Sequence, residues 1–273
     1  METHPLILLA VFLFGWFIGS FLNVLIWRLP RDQKITGRSQ CPHCKHVLGW
    51  QDLVPVFSYL VSGGKCRYCK KKVSLRYPLI ELITGALFVL AVILVSPIAY
   101  NWLIDSVLIV RYWFIFSVLL IVFIIDLEHY LILNKVVYPA TAVLLVMVAF
   151  FGWYSGMSLD GQGLYLLNSL LGMIAGFVPF YILHKISKGK WMGLGDAKLG
   201  LFLGAMFGFP QIWVCYFIAF LLGSAVSLPL LIAGKKELTS KIPFGTFLSV
   251  AALITIVFGL QLANWYFGLI GLV

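Results

Sequence analysis

Apolar residues run along this chain in long unbroken blocks, without the two-residue or 3.6-residue alternation of a soluble strand or helix. Eight blocks approach the length needed to cross about 30 Å of hydrocarbon. They are Leu6–Trp27, Leu79–Ala99, Val107–Ile125, Val136–Tyr154, Leu164–His184, Met192–Phe209, Ile212–Ala233 and Phe244–Gly268. The pattern predicts an all-α integral membrane protein of about eight transmembrane helices. The first block lacks a basic flank and is too long for the core of a removable signal, so it reads as a retained helix. Only one polar interval is sizeable. The expected organisation is a transmembrane helix over 1–27, a loop domain over 28–78 and a membrane core of seven helices over 79–273.

Composition leaves the class in no doubt: 62% of residues are hydrophobic and 11% charged, far from the usage of soluble globular domains. Charge then orients the helices, since Lys and Arg gather in cytoplasmic loops. Eleven of the twenty basic residues lie between Arg28 and Arg76. Lys185, Lys188 and Lys190 follow the fifth block, Lys235, Lys236 and Lys241 follow the seventh, and Lys135 and Lys198 fall on the same side. Arg111 alone lies toward the opposite interface, which a long side chain reaches by snorkelling. Eight spans therefore predict a cytoplasmic loop domain and extracytoplasmic termini.

Two carboxylates interrupt the apolar blocks in a way that points to chemistry. Asp126 closes the block that ends at Ile125, and Asp196 stands in Gly193-Leu194-Gly195-Asp196. The orientation puts both on the cytoplasmic face. The apolar part of the sixth block, Leu199 to Phe209, has only eleven residues, about 16 Å of helix, so Met192 to Lys198 must be drawn in and Asp196 should lie slightly inside the boundary. A carboxylate so placed marks a functional site. Two that meet can divide the work of peptide hydrolysis, one as acid and one as base. Glycines at 193 and 195 would let a substrate backbone approach. Taken singly, Asp196 also reads as a helix cap and Asp126 as an interfacial charge.

The loop carries Cys41-Pro42-His43-Cys44 and Cys66-Arg67-Tyr68-Cys69, two Cys-x-x-Cys pairs separated by twenty-one residues. That spacing suits a closed four-thiolate zinc site of structural type. A cytoplasmic loop disfavours disulfides, and a redox motif would not need a second pair. His43 and His46 read as solvated loop residues, and Cys215, inside the seventh block, as a packing residue. A loop of this size has little core of its own, so a metal would help fold it. Its basic excess fits anionic lipid headgroups; no aromatic–basic pattern for nucleic acid accompanies it.

These segments, with Gly19-Ser20-Phe21-Leu22-Asn23-Val24, Arg28-Leu29-Pro30, Arg76-Tyr77-Pro78-Leu79-Ile80-Glu81, Asp126-Leu127, Gly193-Leu194-Gly195-Asp196-Ala197-Lys198 and Ile242-Pro243-Phe244-Gly245, follow a known order. The chain resembles the type IV prepilin peptidases, bifunctional leader peptidases and N-methyltransferases of pilus and type II secretion systems, built on a Gly-x-Gly-Asp membrane aspartic protease core. The resemblance implies a multi-pass protein of the bacterial inner membrane whose substrates are prepilins and pseudopilins. It implies cleavage after a glycine where a basic leader meets an apolar helix. Asp126 and Asp196 would be catalytic, with Gly193, Gly195 and Lys198 forming the active-site loop. It also implies S-adenosylmethionine as methyl donor for the new amino terminus. With no glycine-rich nucleotide loop in the sequence, Asn23, Arg76 and Glu81 are the candidate cofactor contacts, each of which also reads as a structural polar group.

Two departures stand out. The family often has a proline shortly after its first aspartate, absent from Ile132-Leu133-Asn134, and a second proline where this chain has Thr246. Three other readings compete: a presenilin-like protease cutting deep in the bilayer, a non-catalytic scaffold organised by zinc, and a transporter with a carboxylate proton relay. The position of both aspartates at one face, away from the midplane, disfavours the transporter.

Overall fold

The computed structural model describes residues 5–96, 102–154, 159–233 and 243–269. Lys235, Lys236, Lys241 and Ile242 lie outside them. The architecture is all-α, with nine helices among the described residues: α1 (Pro5–Arg28), α2 (Phe57–Val61), α3 (Arg76–Val95), α4 (Trp102–His129), α5 (Asn134–Tyr154), α6 (Leu159–Ile186), α7 (Leu194–Phe207), α8 (Ile212–Ile232) and α9 (Phe244–Leu269). Six of them, α1, α3, α4, α5, α6 and α8, are long and apolar enough to cross a membrane. Internal hydrogen bonding is what makes this legal in lipid. Pro139, Pro179 and Pro229 sit inside helices, as membrane helices tolerate better than soluble ones.

The chain forms two compact units, residues 1–121 and 122–273. In the first, α1 packs along α3 through glycines. A Cβ on Gly15 would come 2.6 Å from Gly85 Cα, and one on Gly19 2.7 Å from Glu81 Cα, so the two backbones touch in the manner of small-residue membrane interfaces. Between these helices the 28–75 segment folds with two isolated antiparallel bridges, Gln40 with Val47 and Lys65 with Lys72.

In the second unit α7 is the buried centre. Ala197, Leu199, Phe202, Leu203 and Ala205 are fully enclosed. The helix has 14 residues, about 21 Å, which is shorter than a crossing helix. The sixth apolar block is therefore a helix covered by protein, with little exposure to lipid, and its neighbours remove the length requirement. The eighth block, predicted over Phe244–Gly268, forms α9. Against α7 lies α6, and glycine faces glycine along both, with Gly172 and Gly176 opposite Gly204 and Gly200. Any side chain there would strike a carbonyl of the partner helix.

Candidate active site and cysteine cluster

Asp126 lies in the last turn of α4 and is 4% exposed. Immediately beyond, Tyr130 takes a left-handed conformation (φ 55°) and its N–H donates to the Asp126 carbonyl at 2.9 Å, a cap that stops the helix. The chain turns back and Ile132 enters the space between two glycines. A Cβ on Gly195 would be 2.9 Å from Ile132 Cβ, and one on Gly245 would be 2.9 Å from Ile132 Cδ1 and 2.8 Å from Asp126 Oδ2. Gly195 thus makes room for a protein side chain. Its conformation is that of an ordinary helical residue, and no left-handed turn requires it.

Asp196 occupies the first turn of α7, three residues after the cap residue Gly193, and is half-buried. Its Oδ2 accepts the Gly193 N–H at 3.2 Å, the reach-back of a capping box. The cap role thus coexists with its approach to the other aspartate: the charge of Asp126 acts directly on Asp196. Ile132 packs against Gly195, the residue before Asp196, and against the position of Gly245 beside Asp126, so the two turns that carry the carboxylates share this side chain.

Two partners of this site had no assigned job in the sequence. The N–H of Thr246, on the first turn of α9, donates to Asp126 Oδ2 at 2.9 Å. A proline at that position would have no N–H to give. Asn134, first residue of α5, accepts a hydrogen bond from Lys198 Nζ at 2.9 Å, and the same ammonium stands 5.9 Å from the Tyr138 ring. The signal was present in Pro243-Phe244-Gly245 and Asn134, whose contacts span 120 and 64 positions.

The cysteines do meet. Cys41, Cys44, Cys66 and Cys69 present sulfurs that all lie within 4.8 Å of one another, with Cys41 and Cys69 at 3.9 Å. Four thiolates on one zinc at 2.3 Å would stand about 3.8 Å apart, so the cluster could hold a metal ion and fits zinc. The two halves repeat each other at an offset of twenty-five. Lys45 N–H donates to Cys41 O and Lys70 N–H to Cys66 O, both at 2.9 Å. Lys45 and Lys70 each have φ 59°. Cys41 N–H reaches His46 O, and Cys66 N–H reaches Lys71 O. Burial pushes the Cys41 thiol up, but hydrogen bonds from the Cys44 and His43 backbone and from neighbouring thiols outweigh it and leave it lowered to about 7. At Cys44 the His46 backbone favours the thiolate, but desolvation and the adjacent thiols outweigh it and raise the thiol to about 11. His46 stacks on Tyr68 at 3.6 Å. Asp52, from the segment between the halves, braces the second one by accepting from Tyr68 Oη at 3.1 Å and pairing with Arg67 at 3.4 Å. Cys215, by contrast, is fully buried in α8.

The remaining candidates sit between α1 and α3. Asn23 is 3% exposed, donates from Nδ2 to Tyr77 O at 3.1 Å and leaves its buried Oδ1 without a hydrogen bond. Glu81 accepts the Val56 N–H at 2.7 Å. Arg76 lies over the Trp27 and Tyr77 rings.

Residues 13–95 match the family profile described as "Bacterial Peptidase A24 N-terminal domain", and residues 113–228 match "Type IV leader peptidase family". A protein of Aeromonas hydrophila, "Prepilin leader peptidase/N-methyltransferase", is 30% identical over 94% of this chain and 92% of its own. The chain belongs to the type IV leader peptidase family. A relative from Bacillus subtilis with the same name is 28% identical over 94% of this chain and 96% of its own. One from Escherichia coli, "Type 4 prepilin-like proteins leader peptide-processing enzyme", is 32% identical over 89% and 90%. No solved structure matches the chain. As a leader peptidase of this family the protein is an enzyme, a protease carried on a multi-pass membrane scaffold.

Proposed function

We propose that this chain is a membrane aspartic endopeptidase that removes the basic leader of type IV prepilins and pseudopilins, cutting after a glycine at the cytoplasmic boundary of the inner membrane. What supports the reading is that Asp126 lies within electrostatic reach of Asp196 and that Ile132 packs against both Gly195 and Gly245, in a chain of this family. One carboxylate takes a proton from water as its oxygen attacks the scissile carbonyl. The other carboxyl gives its proton to the carbonyl oxygen. Collapse of the tetrahedral adduct breaks the C–N bond, and the proton taken from water passes to the leaving amine. The Thr246 N–H fixes the Asp126 carboxylate, Gly193 and Lys198 shape the approach of the substrate, and Gly195 seats Ile132.

The basic loops place the cysteine module and both aspartates in the cytoplasm and the termini outside. On this reading 1–27 anchors the chain, 28–78 is a zinc-binding module whose four thiolates hold the ion structurally, and 79–273 is the peptidase core. The module's basic residues meet anionic lipid headgroups. The enzyme also methylates the new amino terminus, as its relatives' names suggest, with S-adenosylmethionine supplying the methyl group. Asn23 suits that cofactor best of the three candidates, since its Oδ1 is a buried acceptor with no partner. Arg76 would add a cation, and Glu81 would contribute through the oxygen not given to Val56.

The test is cleavage of a leader-bearing prepilin in proteoliposomes. Asp126→Asn and Asp196→Asn proteins that insert normally should leave the substrate whole, and retained cleavage by both would overturn the reading. The mass of the wild-type product gives the cut site and shows whether a methyl group has been added.

A further inference from the structure

The 28–75 segment carries apolar side chains that its own small core does not use. On α2, Phe57, Leu60 and Val61 form one face and are 61%, 69% and 62% exposed; Trp50 nearby is 75% exposed. Four large apolar groups on so small a module would be a liability in water.

Their depth explains them. The residue before α2, Val56, gives its N–H to Glu81 at 2.7 Å. Glu81 is five residues into α3, about 7 Å along the helix from Arg76. Across the pair, Glu81 is level with Gly19, nine residues before the end of α1, or about 13 Å. A helical side chain leans toward the start of its helix, which shortens the first figure and leaves the sign unchanged. The segment therefore leaves α1, builds the cysteine cluster, and returns to a level on the membrane side of both helix ends.

The return is enforced. Pro55, Val56 and Phe57 make a tight γ-turn, with Phe57 N–H donating to Pro55 O and Val56 at φ 57°, ψ −50°, a conformation a β-branched residue adopts only under constraint. The Glu81 carboxylate supplies it, and α2 follows at once.

Charge selects the occupant. The 28–78 interval holds eleven basic residues and two acidic ones, and Lys70, Lys71 and Lys72 are exposed. A basic rim beside exposed aromatic and aliphatic side chains at interfacial depth is complementary to anionic lipid, and Trp is favoured there. A basic leader peptide would be repelled.

We propose that the α2 face, Phe57, Leu60 and Val61 with Trp50, inserts into the headgroup–acyl boundary of an anionic bilayer and seats the cysteine module on the membrane. This rests on the lipid contact read above and assigns the surface that makes it. The experiment puts the photo-crosslinking residue benzoylphenylalanine at Leu60 or at Lys71 in the full chain, held in nanodiscs of phosphatidylglycerol or phosphatidylcholine, with zinc content measured to verify folding. The Leu60 position should capture lipid acyl chains, roughly fivefold more in phosphatidylglycerol. Capture at Lys71 without capture at Leu60 would keep the headgroup contact and overturn the insertion. Lipid capture at neither position would overturn both. Capture of an added prepilin peptide at Leu60 in place of lipid would make the face a substrate surface and likewise overturn the proposal.

Discussion

The cysteine cluster and the aspartate pair are built in opposite ways. All four thiols lie within twenty-nine consecutive residues, and each half of the cluster is closed by its own backbone, Lys45 to Cys41 and Lys70 to Cys66. The aspartates are seventy positions apart and stand on α4 and α7, with Ile132 from the turn after α4 packed against Gly195 and Gly245 and Thr246 of α9 bonded to Asp126. A local site can be lost and regained without disturbing the helices. A site made of helix ends is only as good as the packing that aligns them.

The largest effect should therefore come from the aspartates themselves. Asp126→Asn or Asp196→Asn should lower kcat/KM for leader cleavage by at least about a thousandfold, the scale of losing one member of a catalytic unit. Zinc content should not change. A variant that loses zinc together with cleavage would erase the contrast between the two regions.

Next comes Gly245→Ala, which leaves both carboxylates in place. Its Cβ would sit 2.8 Å from Asp126 Oδ2 and 2.9 Å from Ile132 Cδ1, so either the wedge or the carboxylate must move. A displacement of that size should lower kcat by about 10- to 100-fold. Single-turnover cleavage with saturating substrate measures it; unchanged kcat would mean that Ile132 yields freely and is no wedge.

How much of this was legible follows from the same contrast. The cysteine pairs announced themselves by spacing, and the apolar blocks gave the all-α membrane class and most helix positions to within a few residues. Charge and motif order singled out Asp126 and Asp196 as the candidates. What stayed hidden was contact across distance: Thr246 on Asp126, Asn134 on Lys198, Glu81 on Val56. None follows from periodicity, because each joins residues 25 to 120 positions apart on different elements. The sixth block shows a second reason. Its length read as a span that must stretch to cross, whereas α7 is short because protein surrounds it.

Removing the metal should separate the regions. Cys66→Ser, or exposure of the wild type to a strong chelator, should abolish hydrogen-exchange protection of the Cys41 and Cys66 amides, because metal binding and folding are one event in so small a module. Cleavage should persist within about tenfold, since each half of the cluster is closed by its own backbone while the Asp126 carboxylate is held by Thr246. A loss as deep as that of Asp196→Asn would show that the peptidase needs the folded module.

The smallest effect should be at the rim of the aspartate site. Lys198 is two residues past Asp196, and its ammonium is held by Asn134 Oδ1 at 2.9 Å in a setting open to solvent. Such a bond contributes about 0.5–1 kcal/mol, which is two- to fivefold in rate. Lys198→Met and Asn134→Ala should each lower kcat/KM by about that factor. If Asn134 acts only by holding Lys198, the double variant should be no worse than either single one, a coupling that a double-mutant cycle reads directly. Additive losses would mean that Asn134 serves the site by another route, such as fixing the first turn of α5 behind Ile132. The outcome decides whether α5 reaches the carboxylates through one polar side chain or through packing alone.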